Sequence, residues 1–576
     1  MNLKEQIRHS IPAAIVVVIG AWVMIYYSIV QWETMKPVPS WDLAIFSELA
    51  KAYAHFQTPI VPVKGDGYNL LGDHFHPILI LLGPIWRLFP TPLSLLITQD
   101  LLLAFSAWPL TRLASRLTNQ WVAGGLGLVY VLSWGMQGAV AAQFHEIAFA
   151  MPLLAYASVA FVERRWGAVT AWSVPLVLVK EDMGLTVLMI GVAVILTSAV
   201  PAWYRSCTVI RPGGRGADGL DTAGDAAGNS AGSAPQDDAA RNRRRGLHLG
   251  VGMIVGGIAA FLFAIQVFLP AFNINGVWDY GLSSQDQPTS PDALTQKATV
   301  VVMLILTSGI IGVTSPWLLV VLPTLAWRFL GSVEFYWVWD NWHYNATLMP
   351  IALGALIDVV ARRRAHGSYV ADHPVRQVGV DGRAVMGRSA QAALAAGATG
   401  EAGEAGTAGE SDVDGPRRRP TAFPTWLTVP MRHRFVVATS ILTAVATGVL
   451  TAPYLPLWQA TNKNFDPLAA EAKQHDEAKR TETHRVAVAH EVIATIPEGA
   501  TVVTDLSLLA YLVPRAEVSW AGTSGPDKEY IVMTPTSANQ WGSSDAAAWG
   551  KKHSKQGATY TLIYNKDNYQ IAKRNG

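Results

Sequence analysis

The chain is short of charge. Asp, Glu, Lys and Arg make up 15% of its 576 residues and 51% are hydrophobic, against about 25% charged in a typical soluble domain. That composition excludes an ordinary soluble protein of this length. There is a single cysteine, Cys207, which excludes an internal disulfide, so an exported domain folds without one. The net charge of +2 is segregated along the chain and says little about partners; no nucleic-acid partner is expected.

Long apolar runs are what the chain does have. IPAAIVVVIGAWVMIYYSIV (11–30) carries no charge and has the ~20 residues a bilayer crossing needs. It follows Lys4 and Arg8 as a signal peptide would, but continues into YYSIVQWET without a small-x-small cleavage site, and reads as an uncleaved anchor. Similar segments follow, so the chain is a polytopic membrane protein.

Basic residues near membrane ends stay cytoplasmic. On that rule the N-terminus is inside, 11–30 exits and 31–76 lies outside. Span 92–111 returns to Arg112 and Arg116, which requires 77–89, with Pro84 and Arg87, to be re-entrant or interfacial. Further spans are expected at 119–140, 147–162, 167–180, 184–203, 247–270, 298–313, 316–331, 344–360 and 434–455. The total is about eleven, or twelve to thirteen if the soft boundaries at 77–89 and in the 298–331 hairpin are drawn differently. Polar stretches 206–246 and 361–433 lack apolar periodicity and read as disordered cytoplasmic loops. The expected fold is an α-helical polytopic protein of the bacterial plasma membrane, with a transmembrane core over 1–360 and an extracytoplasmic α/β domain over 456–576.

This topology collects five clusters of unusual residues on the outside. Trp41 and Asp42 open WDLAIFSELAKAYAHF, whose Ile45, Leu49, Tyr53 and Phe56 recur at helical spacing, as in an amphipathic helix lying on the outer surface. Asp42 in its first turn suits the helix dipole, which is its ordinary reading. Asp73, His74 and His76 follow in DHFHP, where Pro77 fits a helix start and Asp73 can face His76 across a turn. That group reads as an interfacial cap or as metal ligands. His145 and Glu146 lie at the outer end of span 119–140, and Lys180, Glu181 and Asp182 lie between two spans; Lys180 can pair with either neighbouring acid. The last cluster, EFYWVWDNWHYN, sets Asp340, His343 and Tyr344 among aromatics that resemble an interfacial belt. Acids and histidines converging near an aromatic-lined lipid entrance suit acid/base chemistry or charge recognition, and ionisable groups beside a span are functional candidates.

The order WDLAIF, GDHFHP, PLSLLITQ, FHE, KED and WHY resembles the DUF2079 family of predicted bacterial membrane proteins over most of 40–360. In layout it is similar to the GT-C class of membrane glycosyltransferases. That resemblance implies Asp42 as a catalytic base or metal ligand and Glu146 as a second catalytic acid. Trp41, Asp73, His74, His76, His145, Glu181, Asp182, Asp340, His343 and Tyr344 would bind substrate. It further implies a polyprenyl-phosphate sugar donor, a cell-envelope glycan or protein acceptor, and a divalent ion such as Mg or Mn, for which Asp42, Asp73 and His76 are the candidate ligands. The sequence departs from the commonest GT-C pattern: DHFHP replaces a basic-Pro-Pro run, and Asp42 lacks a neighbouring second acid.

After residue 456, THRVAVAHEVIATIPEGATVVTD reads as helix, Pro-Glu-Gly turn and strand, with further strands at 516–520, 529–534 and 559–564. No Gly-rich phosphate fingerprint appears there; covering the outer loops or holding an acceptor is the expected role. Two other functions fit the same residues. A transporter or lipid flippase would place ionisable groups deep within the spans, whereas the only Asp, Glu, Lys or Arg in 247–270 and 434–455 is Arg434 at an end. A non-catalytic envelope assembly protein would tolerate loss of Asp42, His76 and Glu146.

Overall fold

A computed structural model describes residues 2–35, 41–199, 234–280, 291–331, 333–372, 377–378, 384–385, 429–459, 472–535, 537, 541–543 and 545–576. Five described helices are long and apolar enough to cross a membrane: Leu3–Glu33, Pro92–Leu117, Asp238–Phe272, His343–Arg364 and His433–Tyr454. Six shorter apolar helices are Pro77–Leu88, Glu146–Val162, Trp166–Leu178, Met183–Ala199, Ala293–Thr307 and Pro316–Leu330. These rise only roughly 18–25 Å against a hydrocarbon core of ~30 Å, so among the described residues five helices have the length of a full crossing.

Three sequence expectations are corrected here. The segment 119–140 is not one helix: Gln120–Val131 ends at Leu132 and Trp134–Ala141 starts afresh. The polar stretch 206–246 is helical where it is described, because the helix Ala234–Phe263 begins well before Leu247. Its Gly250 and Gly257 press on Gly191 and Gly184 of Met183–Ala199; a Cβ on Gly257 would sit 2.4 Å from the Gly184 carbonyl oxygen, the close approach small residues give membrane helices. Residues 206–233 lie outside the described residues, as does most of 361–433, although the helix Leu348–Asp372 enters that stretch and Val429–Thr451 starts within it.

The third concerns Trp41–Ala54. It is not a surface-lying amphipathic helix, since Leu43 through Ala50 and Ala54 are all buried. Its apolar side packs on the helical bundle and its polar side is covered by the C-terminal domain. Lys51 Nζ donates to the carbonyls of Val513 and Ala516 at 2.7 and 3.0 Å, and the Val63 N–H donates to Glu48 Oε2 at 3.3 Å.

That domain follows the helix Ala472–Thr495, whose Val488, Ala489 and Val492 are buried together with Ile496 just after it, and the turn at Gly499, where φ of +77° favours glycine. Strands β1 (Thr501–Thr504), β2 (Glu517–Trp520), β3 (Tyr530–Met533), β4 (Tyr560–Lys566) and β5 (Tyr569–Arg574) form one sheet in the order β2-β1-β3-β5-β4. The first three are parallel and the last two antiparallel; β5 was not anticipated from sequence. The domain is anchored to the bundle by Arg485, which donates to the Thr34 and Met35 carbonyls, by Lys528–Asp66 at 2.7 Å, and by Trp32 stacked on Tyr511.

The bundle has two distinct ends. At one, Arg116 and Arg165 pair with Glu163, and Arg164 and Arg362 pair with Asp358. The helix rising from Glu146 to Val162 carries the chain roughly 25 Å from there to the other end, where the acid and histidine clusters lie.

Candidate functional site

A cavity of about 870 Å³ opens at that second end, beneath the C-terminal domain. Trp41, Asp42, Asp73, His74, His76, His145, Glu146, Glu181, Asp182, His343 and Tyr344 all line it, so side chains spread over some 300 residues of sequence share one space. Asp340 does not line it. The amide of Asn345 holds the Val338 and Trp339 carbonyls and the chain reverses at Trp342, φ +64°, so that Asn341 through Tyr344 face the cavity instead. Gly138 makes room for this reversal: a Cβ there would meet the Trp342 carbonyl oxygen at 2.6 Å.

Asp42 stands at the start of its helix, 40% exposed, with Oδ2 3.5 Å from His145 Nε2. The other imidazole nitrogen, Nδ1, meets the Gln143 carbonyl at 3.1 Å, which fixes the ring by its far side. Gln99, on the Pro92–Leu117 helix, accepts from the His145 N–H at 2.9 Å and donates to the Ala139 and Gln143 carbonyls. His145 also stacks on His343 at a 3.6 Å centroid distance. The result is a carboxylate open to a ligand and backed by a tightly positioned imidazole.

The remaining ionisable groups form short pairs. Lys180 bonds Glu146 at 2.8 Å, not the adjacent Glu181 or Asp182. His74 Nδ1 meets Glu181 Oε1 at 2.8 Å, and the ring lies on Tyr280. Burial pulls the imidazole down, but the Glu181 carboxylate outweighs it and leaves His74 above its ordinary value. Asp73 does not face His76; its Oδ1 accepts from Lys64 at 2.6 Å, Tyr68 at 2.8 Å and Tyr280 at 3.0 Å. Burial alone would raise Asp73, yet His74, Lys64 and these hydrogen bonds hold it down to about 2. For Asp182, burial dominates and pushes it up to about 6.

Several polar atoms here are buried with no partner among the described residues: both nitrogens of His76, Nδ1 of His343 and Oδ1 of Asp182. Burial pushes His76 down to about 4, so its ring is neutral at physiological pH. The candidate metal ligands Asp42, Asp73 and His76 do not make a ligand set. No group of three or more His, Cys, Asp or Glu suited to a metal occurs among the described residues, and Asp73 is already held by three donors on one oxygen.

Sequence reasoning missed Lys64, Tyr280, Tyr336, Arg328, Leu506 and Trp520, which also line the cavity. Arg328 had a signal available: it sits at the end of segment 316–331 that the basic-residue rule expects to be outside, against the bias that keeps arginines inside. The cavity also has an apolar lining, to which Met183, Leu185, Phe261, Pro323, Ala326 and Trp327 contribute from three apolar helices. Trp41, also in the lining, meets Trp520 of β2 edge-on at 4.7 Å.

No curated protein matches the chain. A family model does, that of the predicted membrane proteins DUF2079, over residues 38–377, which takes in every polar residue described in the cavity but stops short of Leu506 and Trp520. With more than half of its length matched, the chain belongs to the DUF2079 family of predicted membrane proteins.

Proposed function

We propose that this protein is a membrane glycosyltransferase that moves a sugar from a polyprenyl-phosphate carrier to a cell-envelope glycan or protein acceptor on the extracytoplasmic face. The observation that carries the reading is the Asp42–His145 pair, 3.5 Å apart, in a cavity lined by ionisable groups together with a set of apolar side chains. Lipid-linked substrates have parts of both kinds, and ligand sites combine apolar walls with a few placed polar groups.

In this reading an acceptor hydroxyl lies against the open carboxylate of Asp42. Its oxygen forms a bond to the anomeric carbon as its proton passes to Asp42. The bond from that carbon to the phosphate oxygen breaks, and the lipid phosphate leaves with the electron pair. His145 is a positioning residue, holding Asp42 from behind and itself held by Gln99 and Gln143. Glu146, bound to Lys180, sets the charge balance beside the pair. Trp520 and Leu506 bring the C-terminal domain to the mouth, where an acceptor enters. No step is routed through a metal ion, because the residues present do not fit one.

The test is sugar transfer from a polyprenyl-phosphate sugar by wild type, Asp42→Asn and Asp42→Ala. Loss of a general base lowers turnover by about 10²–10⁴-fold, and that loss is expected in both variants. Unchanged turnover in both removes Asp42 from the mechanism.

A further inference from the structure

Among the described residues three lysine and arginine side chains line the cavity, and two are accounted for. Lys64 is paired with Asp73 and Lys180 with Glu146. Arg328 is 3% exposed, and its hydrogen-bond partners among the described residues are all neutral. Nε donates to the Tyr336 carbonyl at 2.8 Å, Nη1 to the Tyr344 carbonyl at 3.1 Å and Nη2 to Asn345 Oδ1 at 2.7 Å. A guanidinium has five N–H donors, so one N–H on each terminal nitrogen is left over by these three bonds, and charged N–H donors of an arginine bind phosphate strongly. The three bonds explain how the 334–345 loop wraps around this side chain. They do not explain its charge, since a buried cation without a counter-ion is costly.

The neighbourhood says what the missing counter-ion is. His343, with an unpartnered Nδ1, lines the same cavity. The apolar wall begins on the same helix, with Pro323, Ala326 and Trp327. We infer that Arg328 is the binding site for a phosphate or diphosphate monoester head group, carried by a lipid whose chain lies along the wall of Met183, Phe261 and Trp327. The inference rests on the glycosyltransferase reading for the choice of a polyprenyl lipid, but its test does not need turnover.

Binding is measured by native mass spectrometry of the full chain in detergent, with polyprenyl phosphate, the corresponding polyprenol, and inorganic phosphate and diphosphate as probes. Hydrogen bonds to a charged group supply roughly tenfold or more, so wild type binds the phosphate lipid at least about tenfold tighter than the alcohol. Arg328→Gln loses that preference and Arg328→Lys keeps part of it. Equal binding of the two lipids by wild type overturns the inference, as does a full preference in Arg328→Gln. If that variant does not fold, the wild-type comparison and Arg328→Lys still decide. Displacement of the lipid by inorganic phosphate at equal concentration overturns the lipid assignment in favour of a soluble anion. No preference in wild type with its transfer intact sinks this inference alone, whereas a wild-type preference without any transfer sinks the glycosyltransferase reading alone.

Discussion

The two ends of the helical bundle both bury ionisable side chains, and they treat them oppositely. At the basic end Asp358, fully buried, accepts from Arg164 at 2.8 Å, from Arg362 at 3.1 Å and from Ser315 at 2.7 Å. Glu163 is likewise met by two arginines. At the cavity end His76, His343 and Asp182 keep unpartnered atoms, and Arg328 faces only neutral oxygens. Buried polar groups are ordinarily satisfied. Carboxylates each held by two arginines mark the first end as a clamp between helices, even though Arg116 Nε is buried there without a partner among the described residues. At the second end the guanidinium has no carboxylate at all among the described residues and whole imidazole edges are left open, as in a place where a ligand supplies the partners.

The contrast breaks most readily at Asp358. Asp358→Asn leaves Arg164 and Arg362 buried against a neutral group, and breaking a buried ion pair costs about 3–5 kcal/mol. A clear fall in the midpoint of thermal unfolding in detergent is expected, with transfer per folded molecule unchanged. An unaltered midpoint would show that the basic end is no clamp.

A smaller effect of opposite sign is expected at His76. Its ring is 1% exposed, touches Phe46 edge-on and has no hydrogen bond among the described residues. An unsatisfied buried polar group costs about 1–3 kcal/mol, and because the ring is neutral its removal deletes no charge. His76→Leu should therefore raise the unfolding midpoint while lowering transfer. A variant that loses both stability and activity would make His76 a packing residue and place the cavity end alongside the basic end.

How much of this was legible in the sequence follows from the same contrast. Asp42, His145 and Glu146 stand out because acids and histidines are conspicuous beside apolar runs. Their convergence was legible only as a matter of sidedness, since 3.6-residue periodicity places residues on helices and says nothing of how helices approach. Pairing was misread at Lys180 and Asp73 for that reason: each found a partner from another element, Glu146 and Lys64, over the neighbour in sequence. The amphipathic reading of Trp41–Ala54 failed because Glu48 and Lys51 look solvent-facing until a domain more than 400 residues later supplies their backbone partners. The break at Leu132 carries no Pro or charge, and only the contact of Gly135 and Gly138 with the 341–345 loop explains it.

The finest distinction between the ends is pH. His74 sits above the ordinary histidine value because Glu181 outweighs its burial. Its contribution to stability is therefore full below about 6.5 and is lost as pH rises through the raised value. Glu181 is pushed up by burial but pulled below its ordinary value by His74 and its hydrogen bond, so its share is present above about 4.5 and is lost at lower pH. The pair is strongest between these limits. The unfolding midpoint of wild type should exceed that of His74→Gln near pH 6, by the equivalent of about 1 kcal/mol, and the gap should close by pH 9. The Asp358→Asn deficit should stay constant over the same range, because the guanidinium groups it exposes remain charged throughout. A His74→Gln deficit equally constant from pH 6 to pH 9 would mean that the imidazole acts there through packing on Tyr280 and not through its charge, and the two ends would then no longer differ in how they respond to protons.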